Sequence, residues 1–384
     1  MNQPTITTQI CLVSDQPVPN LTPLLDGTLR PQRVILLVGN GKERQAGWLE
    51  GVIRRHGLKA ERWNLGDAWD IPAIQHRVLE LLERMPEELG RRTVALNATG
   101  GTKPMSIAAY EAFRAYELPV FYVHPERDRL IWIHPEGRPA HELADRVRLE
   151  AFLEIHGARP RRELRRSIPD PEILEIGAEI VARIDRFGTA LAQLNWLAAS
   201  AEGSLRSKRV EPSRGPLVEL IELFEQGGYL QREDDFLRFP GEQSRFLVNG
   251  GWLEFLAFDA VRSIRHDDPH IQDIAFGVEV EREQNGNAVR NELDVVFLRN
   301  NRLHIIECKT RRFHGKGEGT PGAEALYKLD SLRDLMGGLQ ARAMLLSFQE
   351  MGRHHHTRAR DLGIRICAGA ALRRLREHLQ RFIQ

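Results

Sequence analysis

Short apolar runs and segments of helical spacing take turns along residues 1–150. TTQICLVSD runs into a turn-rich QPVPN, and RVILLVGN ends in Gly and Asn, so both read as buried strands followed by loops. QAGWLEGVIRRHG has helical spacing and stops at Gly57, and LKAERWNL reads as a further strand. IPAIQHRVLELLERM carries Pro72 in its first turn, where the missing N–H has no helical partner to lose, and it is helical beyond. TVALNATGGT is a strand entering a glycine loop, KPMSIAAYEAFRAYE is a helix, and LPVFYVHP with DRLIWIHP forms a closing strand pair. Strands interleaved with helices predict a parallel α/β sheet, whose ligands sit beyond the carboxyl ends of its strands.

HGARPRRELRRSIPDPEI, rich in Arg and Pro, marks a boundary near 150–172. Residues 173–230 have mostly helical patterning, and PLVELIELFEQGGYLQREDDFLRF gives a helix and hairpin in the order of a winged helix. From Gly250 the helix GWLEFLAFDAVRSI leads to strands IAFGVEVERE, NELDVVFL and RLHIIECKT. A Gly-rich HGKGEG precedes the helix GAEALYKLDSLRDLMGG, and ARAMLLSF and IRICAG supply two more strands. The expected organisation is an α/β domain over 1–150, a helical, winged-helix-like connector over 151–240, and a second α/β domain over 241–384.

NELDVVFLRNNRLHIIECKT carries charges in a segment otherwise patterned for a core. Asn tolerates positive φ, so Asn300 and Asn301 suit the centre of a type I′ turn. That turn sets 299 opposite 302 and 298 opposite 303. By continuation Asp294 faces Glu307, and Glu292 faces Lys309. Alternation puts these four on one face and Leu293, Val295, Phe297, Ile306 and Cys308 on the other. Opposed side chains have Cβ atoms about 4.5–5.5 Å apart, where like charges are destabilising. A divalent cation shared by Asp294 and Glu307 would offset the repulsion, with the carbonyl of Cys308 as a further hard oxygen ligand. Lys309 would then hold an attacking water or steady charge on a phosphate. The plainer reading is a surface charge cluster with Lys309 as counter-ion.

The composition is that of a soluble globular chain, 42% hydrophobic and 28% charged, with a formal net charge of +1. This balance leaves a locally basic site open. Cys11, Cys308 and Cys367 form no CxxC and no Cys/His metal spacing. With no signal peptide, they fit a reducing cytoplasm, and no apolar run is long enough to span a bilayer. His354, His355 and His356 read as a polar surface tract.

In LNATGGTKPM, Thr99, Gly100, Gly101 and Thr102 form a loop and Lys103–Pro104 opens a helix. Glycines let backbone N–H groups approach an anion, and a helix N-terminus favours negative charge, so this is a candidate phosphate cradle with Lys103 as its point charge. The P-loop spacing is absent, and GNGKERQAG lacks the third Gly of a dinucleotide fingerprint. Ser14, Asp15, Gln16 and Asn20, after the first strand, offer polar groups suited to bases and ribose hydroxyls.

Asp294 followed by Glu307-Cys308-Lys309 at the end of the next strand resembles the PD-(D/E)XK restriction-like nucleases. The resemblance implies a catalytic core of Asp294, Glu307 and Lys309, with Glu254 of GGWLEFLAF as an additional metal-side acid. The Pro that precedes the first acid in that family is missing here. Tyr327, Lys328 and Ser331 on the following helix would face a phosphate backbone. LVSDQPVPN and NATGGTKPM together resemble the Rossmann-like CARF domains of CRISPR-associated effectors. That resemblance implies a homodimer binding cyclic oligoadenylate through Ser14, Asp15, Gln16 and Asn20 and through Asn97, Thr99, Gly100, Gly101, Thr102, Lys103 and Met105. CARF followed by a restriction-like nuclease is the order of the single-CARF accessory nucleases of type III CRISPR systems. It implies activation by cyclic tetra-adenylate and manganese- or magnesium-dependent cutting of single-stranded DNA or RNA, or of supercoiled DNA. The competing expectations are a ligand-responsive winged-helix transcription regulator, a degenerate nuclease fold that only binds, and a first domain that degrades its own activator.

Overall fold

The structure is a computed structural model that describes residues 5–124, 127–210, 215–284, 286–311 and 321–384. The expected HGKGEG loop lies outside these residues. The first half contains β1 (Thr8–Leu12), α1 (Val18–Leu25), β2 (Arg33–Gly39), α2 (Glu43–Arg55), β3 (Lys59–Gly66), α3 (Ile71–Glu83), α4 (Pro86–Arg91), β4 (Val94–Asn97), α5 (Lys103–Ala115), β5 (Val120–His124), β6 (Arg129–His134) and β7 (His141–Glu142). The middle holds α6 (Leu149–Ile155), β8 (Ala158–Pro160), α7 (Glu172–Ala182), α8 (Ile184–Ser200), α9 (Pro216–Gln226), β9 (Gln231–Glu233), β10 (Phe236–Arg238) and α10 (Glu242–Phe246). The last part holds α11 (Trp252–Arg265), β11 (Ile271–Gln284), β12 (Asn287–Arg299), β13 (Arg302–Lys309), α12 (Pro321–Gly337), β14 (Arg342–Ser347), α13 (Arg353–Asp361), β15 (Ile364–Ala368) and α14 (Leu375–Ile383).

Seven strands form the first sheet in the order β3-β2-β1-β4-β5-β6-β7. β1 to β5 run parallel, β6 pairs antiparallel with β5 as the closing strand pair in the sequence predicted, and the short β7 adds an antiparallel edge that was not expected. The order reverses between β1 and β4, the switch point where an open α/β sheet has a crevice at its strand ends. Residues 13–17 and 98–102 leave β1 and β4 there. One departure is α1, which occupies most of the stretch read as a turn. Pro19 sits in its first turn, so the helix loses no internal bond to it.

The second sheet has the order β15-β14-β13-β12-β11-β8. β8, from the stretch read as connector, pairs with β11 and forms an edge of this sheet. α9 with β9 and β10 gives the expected helix and hairpin. Trp252, Phe255 and Phe258 of α11 pack on one sheet face with Phe297, Ile306 and Phe382. Leu326 and Met336 of α12 pack on the other with Leu303 and Ile305, in a core that continues through Phe152 into Val52 and Val34 of the first domain. The two domains therefore share buried apolar surface. His355 is buried on α13 against Gly322 rather than standing at the surface, because α13 lies along α12. No helix among the described residues is long and apolar enough to cross a membrane.

Candidate active site and ligand-binding loops

The turn is as the sequence predicted. Asn300 and Asn301 have φ of 48° and 52°, and pairing runs from Arg299↔Arg302 to Val295↔Ile306 in the expected register. The ladder then stops. β13 continues beside β14 as far as Lys309↔Ser347, while β12 stays with β11. Asp294 and Glu307 are therefore not ladder partners, and neither are Glu292 and Lys309. In the fork, Cys308 N–H donates to Asp294 Oδ2 at 2.7 Å. The apolar face also changes at this point. Val295, Phe297, Ile306 and Cys308 share a core with α11, whereas Leu293 lies in the core beneath the opposite face. The switch coincides with Gly277 of β11, at φ 53° between the Phe276↔Val295 and Val278↔Leu293 pairs.

Charge nevertheless converges in the fork. Lys309 Nζ lies 2.6 Å from Glu307 Oε1, 3.8 Å from Asp294 Oδ2 and 3.2 Å from the Cys308 carbonyl. Lys328 of α12 reaches within 3.6 Å of Glu307 Oε1, while Tyr327 beside it is exposed and carries the Arg358 guanidinium 5.1 Å over its ring. Glu254 stands in the first turn of α11. The chain enters that helix through Gly250, at φ 109°, where a Cβ would meet Thr310 Oγ1 at 2.0 Å. Only glycine permits so close an approach. Thr310 is fixed from its other side, accepting at Oγ1 from Asn195 Nδ2 of α8 at 2.9 Å. Nothing local in the sequence links Asn195 to the end of β13, because the contact is purely tertiary.

Glu254, Asp294 and Glu307 are 9%, 8% and 1% exposed. Burial, then the Glu307 charge, pushes the Asp294 carboxyl up to about 7. Burial, with Asp294 and Glu292, holds Glu254 well above the usual carboxylate range. Burial by itself would lower Lys309, but attraction to Asp294 and Glu307 outweighs it and keeps the ammonium charged. Burial also raises the Cys308 thiol far above its usual range, so its carbonyl, not its sulfur, is the available ligand. Among the described residues no three His, Cys, Asp or Glu side chains form a ready-made cage for an ion. The donors still suit a hard cation. They are carboxylate and carbonyl oxygens, and Glu307 Oε2 is buried with no hydrogen-bond partner among the described residues.

In the first domain the two predicted loops meet at the switch point. A Cβ on Gly100 would lie 2.0 Å from the Leu12 carbonyl, so glycine lets the loop after β4 press against the end of β1. Thr102 caps α5 by accepting from Met105 N–H, and it donates to the Ala68 carbonyl. Lys103 is exposed at the helix start, next to Gly101. Ser14 and Gln16 are partly exposed and joined by a hydrogen bond at 3.2 Å. Several expected ligand residues have internal partners instead. Asn20 is fully buried and donates to the Leu12 carbonyl. Asn97, also buried, donates to the Pro19 carbonyl and accepts from Thr99. Asp15 is exposed but paired with Lys42 at 2.7 Å, and Met105 lies in the core.

No motif or periodicity signals how the loops contact the second domain. Gln16 and Thr99 line a cavity of about 190 Å³ together with Asn300, Asn301 and Arg302, the turn of the β12–β13 hairpin. Asn301 Nδ2 donates to Asp128, and Asn301 Oδ1 accepts from Gln272 Nε2 at 2.5 Å and from Val147 N–H at 3.3 Å.

Residues 8–152 match the family described as the Card1 CARF domain, and residues 241–384 match the Card1-like endonuclease domain. The chain is similar to the crystal structure of protein VC1899 from Vibrio cholerae, with 34% identity, coverage of 98% of this chain and 97% of that one, and a TM-score of 0.87. It is similar to Can2 from Sulfobacillus thermosulfidooxidans in complex with cyclic tetra-adenylate, with 26% identity, coverage of 98% and 99%, and a TM-score of 0.81. A type III CRISPR defence DNA nuclease activated by cyclic oligoadenylate shares the fold at 23% identity and a TM-score of 0.58, with 90% of this chain and 46% of that one covered. Comparison with curated proteins finds none that matches.

Proposed function

This chain belongs to the family that joins a Card1 CARF domain to a Card1-like endonuclease domain, and from that premise we propose that it is a metal-dependent endonuclease of CRISPR defence switched on by cyclic tetra-adenylate. The observation that carries the reading is the Lys309 ammonium held between Glu307 and Asp294 at the fork of β12 and β13. A surface charge cluster would be solvated, whereas these carboxylates are buried.

Glu254, Asp294, Glu307 and the Cys308 carbonyl are the groups that would hold a divalent cation. When bound, such an ion supplies Lewis acidity toward a phosphate oxygen and a lowered pKa for water. Lys309 stays protonated, so it donates to the attacking water or to the oxygen on which charge develops. Lys328 adds a second cation on the α12 side, where a phosphate backbone would lie.

Cyclic tetra-adenylate would sit at the β1–β4 crevice, with the Gly100–Gly101 backbone and Lys103 toward phosphates and with Ser14 and Gln16 toward base or ribose. A homodimer through the first domain would close around it. Control then requires that the ligand favour one arrangement of the two domains over another. The β12–β13 hairpin is suited to carry that preference. Its turn meets Asp128 and the cavity beside Thr99, and its far end, about 23 Å along β13, carries Lys309.

The test is cleavage of single-stranded DNA, single-stranded RNA and supercoiled plasmid with manganese, with and without cyclic tetra-adenylate. Cutting that depends on the activator supports the proposal. No cutting with any cyclic oligoadenylate refutes it. The transcription-regulator reading, which the helix and hairpin of α9 to β10 leave open, predicts binding of duplex without cutting in the same assay.

A further inference from the structure

α8 buries Phe187, Leu191, Leu194 and Ala198 and turns its opposite face to solvent. On that open face Trp196 is 55% exposed. An isolated exposed apolar residue needs no explanation, but this one has a specific setting. The preceding residue, Asn195, is buried and holds Thr310, next to Lys309. Trp196 therefore stands on α8 one residue along from the contact to Thr310, which follows Lys309 in the chain. Lys208 comes back over it, with Nζ 5.5 Å from the ring centroid. The loop bearing Lys208 is pinned, since Lys208 N–H donates to Ser200 Oγ at 2.9 Å and Ser207 N–H donates to the Leu237 carbonyl at 2.8 Å. Two residues away, the Arg206 guanidinium lies 3.8 Å over the Phe236 ring. Nearby Arg209, Arg238 and Arg245 have carboxylate partners. Lys208 and Arg206 form no ion pair among the described residues.

We propose that Trp196, with Lys208, is a stacking platform for an unpaired base of the single strand, a few nucleotides from the phosphate that is cut. The proposal rests on the nuclease reading above. An aromatic face accepts any base once the base is unstacked, and uncompensated cations beside it take the backbone charge. A duplex offers no free base face, so the platform selects single strands. Trp196 acts in binding and touches none of the reacting atoms.

The test measures binding without cleavage. Fluorescence anisotropy of labelled single-stranded and duplex oligonucleotides is recorded in chelator on the Glu307→Gln protein, alone and combined with Trp196→Ala, Trp196→Phe or Lys208→Ala. Trp196→Ala weakens single-strand binding about 5- to 100-fold, Trp196→Phe restores most of it, and duplex binding stays unchanged. Lys208→Ala flattens the salt dependence by about 0.7 in log–log slope. An oligonucleotide with an abasic position at the stacked site loses the same factor, with no further loss in Trp196→Ala. Unchanged single-strand binding in Trp196→Ala overturns the proposal. So does equal weakening for duplex, or loss of self-association in sedimentation, which would make Trp196 a contact between copies. If the wild type cuts nothing yet Trp196→Ala still loses single-strand affinity, the nuclease reading fails and the platform stands. If the wild type cuts and Trp196→Ala binds normally, only the platform fails.

Discussion

Replacing Lys309 by Met keeps the aliphatic stem and removes the charge. The ammonium lies 2.6 Å from Glu307 and 3.8 Å from Asp294. At an effective dielectric constant of about 20 these contacts amount to roughly 6 and 4 kcal/mol before desolvation. Removing one member of a buried ion pair costs about 3–5 kcal/mol net, because the partner charge is left behind. Proton uptake softens the loss. Asp294 already titrates at about 7 and Glu254 well above its usual range, and without Lys309 both rise further. A carboxyl raised in the folded state contributes stability at low pH and loses it as pH climbs through the folded value. The deficit of the variant is therefore small at pH 6, larger at pH 8, and complete only above the variant's raised carboxyl values. If the chain melts as one unit, the full deficit corresponds to about 4–6 °C. Manganese supplies positive charge to the same carboxylates, so it raises the melting temperature of the variant more than that of the wild type. Melting curves at pH 6, 7 and 8, with manganese or with chelator, measure both effects. A variant that melts with the wild type at pH 8 and does not respond to manganese would refute the reasoning.

Two further predictions concern the contact between the domains. Asn301→Gly keeps a backbone that accepts positive φ and the N–H bond to Gln272 Oε1 but removes the side-chain bonds to Asp128, Gln272 and Val147. Cleavage by this variant should respond to the activator about 10-fold less, while calorimetric binding of cyclic tetra-adenylate stays intact; normal activation would exclude the hairpin turn as the coupling route. Asp128 is pushed up to about 7 by burial, so it costs the folded protein stability as pH rises from 4 to 7, by at most about 4 kcal/mol. Asp128→Asn should melt higher at pH 8 and show a flatter pH profile, and parallel profiles for the two proteins would contradict this.

The hairpin was legible because a two-residue Asn-Asn turn fixes register locally, and the ladder follows it from Arg299 to Val295. The ladder's end was not legible. β13 leaves β12 for β14, a strand more than thirty residues later in sequence, and no local rule reports that change of partner. The acids and Lys309 still converge, through side-chain reach and the Cys308 N–H rather than as opposed pairs. In the first domain, turn composition gave the loop after β4. Polarity did not reveal that Asn20 and Asn97 serve the fold, because an amide is equally suited to a ligand and to a backbone carbonyl. Asn195 and Asp128 belong to contacts between distant segments, which neither periodicity nor motif encodes.

The central claim is that Glu307 and Lys309 cut phosphodiesters under control of a ligand bound in the first domain. Its most direct test is cleavage of single-stranded DNA and RNA by the wild type and by Glu307→Gln, with manganese, with and without cyclic tetra-adenylate. The account predicts cutting by the wild type only when the activator is present, and a loss of at least about 100-fold in Glu307→Gln while that variant still binds the activator. Full cutting by Glu307→Gln, or equal cutting by the wild type with and without activator, would contradict it.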